Sequence, residues 1–197
     1  MQYQKLWQAS EEKIKNSYIY DFAQKISEKY GLIFKDYQSF HEWSVSNIPA
    51  FWSEAWEYFD IIHSRAPRQI IDDINTMPGA KWFSGSRLNF AENLLRYRDE
   101  RTAIIARRED QSEESYSYSD LYKKTAALAA AMRNAGVKKG DRIAGFMPNI
   151  PETIIAMLAA SSIGAVWSSS SPDFGIRGVL DRFSQIKPKL IFSVDGY

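Results

Sequence analysis

Four consecutive hydroxyls, Ser168, Ser169, Ser170 and Ser171, followed at once by Pro172 and Asp173, form the densest run of chemistry-bearing side chains in the sequence. They follow a short apolar segment that reads as a strand, and open parallel sheets bind ligands at the carboxyl ends of their strands. Hydroxyls and backbone amides there can line a ligand site. A polar loop that satisfies its own backbone uses the same residue types, so both readings stand on these residues alone. Serines without a motif-placed histidine do not make a hydrolase. Asp173 with Asp181 or Arg182 reads as helix capping and surface charge rather than as an acid and a base. His41 and His63 lie far apart with no cysteine and no ligand-type spacing, which argues against a metal site. Lys138, Lys139, Arg107 and Arg108 read as solvated loop charge. No Gly-x-x-x-x-Gly-Lys-Ser/Thr loop and no Gly-x-Gly-x-x-Gly fingerprint occurs, so no nucleotide phosphate site announces itself.

The elements that must position the serine run alternate in type. Arg142 to Met147 is a short apolar strand ended by Pro148 and Pro151. The helix that follows opens at Pro151 or Glu152, because proline is tolerated in a first helical turn and an acidic side chain there complements the helix dipole. Ile154, Ile155, Met157, Leu158, Ala159 and Ala160 leave it little polar face, which predicts burial on most sides. Gly164 ends it. Ala165 to Ser168 is the next strand, Gly175 to Ile186 the next helix, and Leu190 to Val194 a third strand. Strands joined through helices demand right-handed crossovers and a parallel sheet, so the fold class is α/β. No further helix follows in the sequence to cover the last strand, which predicts an incomplete sheet.

Upstream the pattern is helical and aromatic. Ser17 caps a helix with Ile19, Phe22, Ala23, Ile26 and Tyr30 at helical spacing, and Gly31 stops it. Asn47 and Pro49 open another, in which Phe51 or Trp52, Ala55, Trp56 and Phe59 recur every three to four residues. Such stripes are core, packed against the main domain, rather than a ligand platform. An irregular connection follows, with Asn89 capping a short helix through Leu95. Thr102 to Ala106 and Tyr116 to Tyr118 form an antiparallel hairpin with a polar tip. Ser119 then caps a helix carrying Leu121, Thr125, Leu128, Ala129 and Met132, ended by Asn134, Ala135 and Gly136.

Composition narrows the function classes. With 25 basic and 24 acidic side chains the net charge is +1, so no global field favours nucleic acid or an anionic membrane. There is no cysteine, hence no disulfide, thiolate ligand or cysteine nucleophile. The amino-terminal residues lack the apolar core of a signal peptide, and the expected location is cytoplasmic.

The stretch MPNIPETIIAMLAASSIGAVWSSSSPDFGIRGVLDRFSQIKPKLIFSVDGY resembles the acyl-CoA synthetase branch of the adenylate-forming enzymes, and SSSSPDFGIRGVLDRF is most similar to its acetoacetate-activating members. LWQASEEKIKNSYIYDFAQKISEKYGL, FHEWSVSNIPAFWSEAWEYFDI and WFSGSRLNFAENLL resemble, in the same order, the amino-terminal region of that family. The resemblance implies an acid–thiol ligase that uses ATP, Mg2+ and coenzyme A to convert a short-chain keto acid, through an acyl-adenylate, into a thioester. It implies three segments: a helical aromatic-rich region over 1–63, a connection over 64–101, and from 102 to 197 the start of the large adenylation domain. The family's phosphate loop, magnesium-holding acid, ribose-binding aspartate and mobile lysine have no counterpart here, so the chain reads as the leading part of a longer enzyme, with no catalytic residue of its own. The implied contact is with coenzyme A. Ser171, Pro172 and Asp173 stand where acetyl-CoA synthetases carry a Phe-Gly-Gly that borders the pantetheine channel, so it is the backbone role that carries over. The alternatives are an acetyl- or propionyl-CoA synthetase, disfavoured by SSSSPDFG, and a non-catalytic interaction module built on the aromatic first third.

Overall fold

The computed structural model describes residues 6–196, which divide into two compact units. One runs through residue 61 and again over 65–86; the other takes in 62–64 and the chain from 87 onward.

The first unit is built by helix caps and aromatic rings. Helix α1 (Glu11–Lys15) is capped by Ser10, and α2 (Tyr18–Tyr30) by Ser17, whose hydroxyl accepts the Tyr20 N–H. Gly31 ends α2 at φ 65°, the left-handed conformation that glycine adopts without a Cβ penalty. A third helix, α3 (Tyr37–Ser46), lies outside the helices expected from spacing. Its signal is local: Asp36 accepts the Ser39 N–H while the Ser39 hydroxyl accepts the Asp36 N–H, a reciprocal capping box. Helix α4 (Ile48–Tyr58) carries proline in its first turn as expected, but Asn47 makes no side-chain cap for it. The Asn47 amide turns back instead and donates to the Trp43 carbonyl at 3.0 Å, closing α3.

The aromatic stripes close on one another within this unit. Phe22, Ile26, Phe40 and Ala55 are buried, and the Phe22 ring meets those of Phe40, Phe51 and Tyr58 at centroid separations of 6.1, 5.8 and 4.7 Å. The connection is more regular than its prolines and glycines suggest. Strands β1 (Gln69–Ile71) and β2 (Trp82–Ser84) pair antiparallel, Ile71 opposite Trp82, and Trp56 of α4 stacks on Phe83 at 4.7 Å.

The second unit opens with α5 (Phe90–Leu94), capped by Asn89. The Asn89 amide also donates to the carbonyl of Ser161, 72 residues away in sequence. Strands β3 (Thr102–Arg107) and β4 (Glu113–Ser117) form the antiparallel hairpin. Its second strand starts earlier than Tyr116 and ends at Ser117, and it is Ser117, not Ser119, that caps α6 (Tyr118–Asn134). The reason is again reciprocal bonding: Ser117 Oγ accepts the Asp120 N–H at 3.1 Å, and the Asp120 carboxylate accepts the Ser117 N–H at 3.1 Å. Ser119 is the second residue of the helix, within its first turn, and is buried.

Then come β5 (Arg142–Phe146), α7 (Pro151–Ile163), β6 (Val166–Ser170), α8 (Ile176–Ile186) and β7 (Leu190–Ser193). The three strands are parallel in the order β6-β5-β7. Helix α7 is buried as its composition requires: Ile155, Ala156, Leu158, Ala159 and Ala160 all lie in the core. With Ala129 and Met132 of α6, its last turns cover the sheet face that carries Ile143, Trp167, Leu190 and Phe192. Helix α8 belongs to the other face. Two successive right-handed crossovers on opposite sides of β5 require it, and Arg142, which points away from the Ile143 face by strand alternation, donates to the Ile186 carbonyl.

At the amino ends of the strands one ion pair ties the sheet together. Lys189, entering β7, reaches Asp141, which precedes β5, at 2.7 Å and donates to the Gly136 carbonyl as well. Asp141 also accepts the Lys138 N–H. The Lys189 ammonium first, and that N–H second, hold the Asp141 carboxyl below the ordinary carboxylate range. A carboxyl lowered in this way stabilises the fold above its unfolded pKa of about 3.9 and loses that contribution as pH falls through the lower folded value. Asp141→Asn is therefore expected to lower the thermal midpoint at neutral pH, with the gap from the parent narrowing below about pH 4. Equal gaps at pH 7 and pH 3 in scanning calorimetry would contradict this role. In the first unit, Phe22→Ala is expected to cost about 3–5 kcal/mol in urea titrations followed by aromatic circular dichroism.

Candidate functional site

The carboxyl ends of β5 and β6 lie side by side, Phe146 opposite Ser170 as the last paired residues. From there the chain leaves β5 toward α7 on one face and leaves β6 toward α8 on the other. Such divergence opens a crevice above adjacent parallel strands, the usual ligand position in open α/β sheets.

Most of the serine run lies in the sheet rather than in the loop above it. Ser168, Ser169 and Ser170 continue β6 opposite Ala144, Gly145 and Phe146, so the strand runs two residues past its expected end. Serine has low strand propensity, but β5 offers a full row of ladder partners, and tertiary pairing overrides local preference. Alternation then separates the hydroxyls. Ser169 is exposed on the Trp167 side, while Ser170 is buried on the α8 side, its Oγ without a hydrogen-bond partner among the described residues.

Ser171, Pro172 and Asp173 do form the turn between β6 and α8. Ser171 Oγ donates to the Asp173 carboxylate at 2.6 Å, and the Phe174 N–H bonds back to the Ser171 carbonyl at 3.2 Å. Ser171 and Pro172 are half-buried; Asp173 is exposed. Asp173 does not cap α8: the cap position is Gly175, which offers no side chain. Arg182 lies over the Phe174 ring at 4.1 Å and donates to the Gly178 carbonyl, which closes the turn against the first coils of α8. The turn thus presents backbone and one bonded hydroxyl–carboxylate pair, an arrangement suited to lining a passage. In the connection that leaves β5, the Thr153 hydroxyl donates to the Pro148 carbonyl at 2.8 Å and fixes the start of α7.

The other candidate groups fall into structural roles. Arg107 and Arg108 are paired across the hairpin with Glu113 and Glu114, each at 2.9 Å, where loose solvated charge was expected. His41 stacks on Tyr37. Among the described residues no group of three or more histidines or carboxylates is arranged to hold a metal ion.

One feature of the site goes beyond the residues singled out from sequence. Gly145 is buried in the middle of β5, and a Cβ there would lie 2.5 Å from Cζ2 and 2.7 Å from Cη2 of Trp167. The available signal was a glycine inside a strand pattern, which marks close approach by another group.

Comparison with known proteins places these features in a family. Residues 90–196 match the family model described as AMP-binding enzyme, and residues 37–94 match the acetyl-coenzyme A synthetase N-terminus. The acetoacetyl-CoA synthetase of Macaca fascicularis is 45% identical over 196 residues, 98% of this chain and 29% of that protein. The malonamoyl-CoA synthetase vrtB of Penicillium aethiopicum is 38% identical over 195 residues, covering 95% and 27%. The solved acetoacetyl-CoA synthetase of Streptomyces lividans superposes with a TM-score of 0.91 at 40% identity, over 98% of this chain and 30% of that one. The chain thus spans under a third of the length of the proteins it matches. With its parallel sheet inside a family match that covers more than half of its residues, the chain belongs to the AMP-binding enzymes.

Proposed function

We propose that this chain is the amino-terminal part of an acid–CoA ligase that activates acetoacetate. In the first step a carboxylate oxygen attacks the α-phosphorus of ATP, the bond to the bridging oxygen breaks, and pyrophosphate leaves. In the second the coenzyme A sulfur attacks the acyl carbon and gives up its proton, and AMP departs with the oxygen that joined it. The observation that carries this reading is co-linear similarity to acetoacetyl-CoA synthetases over almost every residue, at 40–45% identity in the relatives compared. The malonamoyl-CoA synthetase favours a second reading on one point alone, a neighbouring three-carbon acid as substrate.

Within such an enzyme the chain's role is architectural. We assign 1–63 to the helical region, 64–101 to the connection and 102–197 to the start of the adenylation domain, in a cytoplasmic protein that acts on small molecules rather than on nucleic acid or membrane. No helix among the described residues is long and apolar enough to cross a membrane. The turn Ser171, Pro172 and Asp173 borders the channel for the pantetheine arm of coenzyme A, supported by its position above a parallel strand.

Two outcomes test this. In the intact ligase, Pro172→Trp is expected to raise the apparent coenzyme A requirement while leaving acetoacetate-dependent ATP–pyrophosphate exchange nearly unchanged; equal loss of both half-reactions would remove the channel assignment. The 197-residue chain alone is expected to show no pyrophosphate exchange with MgATP and acetoacetate, because losing phosphate positioning and charge stabilisation together costs many orders of magnitude in rate. Turnover that co-purifies with the chain and survives controls for host enzyme would overturn the architectural role.

A further inference from the structure

Trp167 stands next to the start of β6, opposite Ile143. Its indole does not stand straight up from the sheet. It leans along and across β5 so that its six-membered ring occupies the place where a side chain at 145 would be, with Cζ2 and Cη2 within 2.7 Å of that Cβ position. Beyond Gly145 the ring meets Phe192 of β7, at 6.2 Å between centroids, and Phe192 is itself the ladder partner of Gly145. One side chain therefore bears on all three strands of the sheet. It does so at the level of Gly145 and Ser169, one pair before β6 ends and the turn at Ser171 begins.

The indole is half-buried, packed with Leu190 and Phe192 against the core under α6 and α7. Ile143, the ladder partner of Trp167, belongs to that core, so the indole is backed by packed side chains on its inner side. Contacts under 3.0 Å with a rigid bicyclic ring cannot be absorbed by a flexible tip, so either the indole or the strand must move. The strand end that would move is the one that carries Ser171, Pro172 and Asp173.

We propose that Trp167, seated on Gly145, is a positioning residue that sets the height and tilt of the β6 end, and through it the 171–173 turn against the pantetheine arm. This rests on the assignment of that turn to the coenzyme A channel. Gly145 and Trp167 act through the strand rather than by touching substrate.

The test uses the intact ligase with Gly145→Ala, Trp167→Phe and the double variant, beside Pro172→Trp. Phenylalanine lacks the ring atoms that a Cβ at 145 would strike. Gly145→Ala is expected to raise the KM for coenzyme A by about tenfold, a modest share of the hundredfold that small displacements near a reacting centre can cost. ATP–pyrophosphate exchange should hold its rate, and amide hydrogen exchange should accelerate across 168–174. The double variant should return toward Trp167→Phe alone rather than add to Gly145→Ala. Unchanged amide exchange at 168–174 in Gly145→Ala would overturn the inference, as would strict additivity in the double variant. If Pro172→Trp raises the KM for coenzyme A and Gly145→Ala does not, the positioning role fails and the channel assignment stands. If Pro172→Trp leaves the KM unchanged, the channel assignment fails, and the amide exchange and additivity still decide whether Trp167 holds the strand end. Should Gly145→Ala fail to fold, Trp167→Phe alone must accelerate exchange at 168–174, and its failure to do so overturns the inference.

Discussion

The pairing of β5 with a parallel neighbour on each side is the constraint from which the rest of the second unit follows. Parallel neighbours cannot be joined by a tight turn, so each link becomes a helix that must cross a face of the sheet. The first crossover places α7 over Ile143 and the second places α8 behind it, which buries β5 on both faces and both edges. Ile143 and Ala144 are wholly inaccessible as a result. The alternation of faces also makes the chain diverge above the strands, so the geometry that protects the central strand is the geometry that opens a crevice at its end.

Charge and shape divide the work of holding that sheet. At the amino ends the Lys189–Asp141 pair joins β7 to the approach of β5, where half-exposed groups remain hydrated and geometry counts for more than Coulomb energy. At the carboxyl ends the half-buried indole of Trp167 fills the place over Gly145. The first unit also joins its helices by charge, Lys29 of α2 reaching Glu54 of α4 at 2.8 Å. Side-chain caps fix α1, α2 and α3, and rings meet at 4.7 to 6.1 Å around Phe22.

Much of this was legible in the sequence because the signals are local. Pro151 and Gly164 bracket α7, Ser17 and Gly31 bracket α2, and the apolar runs of β5, β6 and β7 sit at the spacing that crossovers require. What escaped was decided either by a partner far along the chain or by fine local capping geometry. The extension of β6 through Ser170 depends on backbone supplied by Ala144, Gly145 and Phe146, and serine composition argues for a loop. The choice of Ser117 over Ser119 as a cap depends on which serine faces Asp120 across a turn, a matter of register. The short pairing of β1 with β2 lies hidden among prolines and glycines. At the site, the Ser171–Asp173 turn was visible from type and order, whereas the seating of Trp167 on Gly145 required knowing that two residues of different strands share a face.

The central strand of the sheet is also the first of the three to be made. β5 can satisfy one edge only after the whole of α7 has followed it, and the other only once Leu190 has emerged, since the residues joined by the Asp141–Lys189 contact stand 48 positions apart. Throughout that interval of synthesis its backbone donors and acceptors on the β7 side stay unmatched beside an apolar surface, the state in which a nascent chain is most open to capture by a neighbour. Building the sheet from the inside outward therefore ties its successful assembly to the order of translation and to the folding helpers present at the ribosome, a dependence that no contact in the finished molecule reveals.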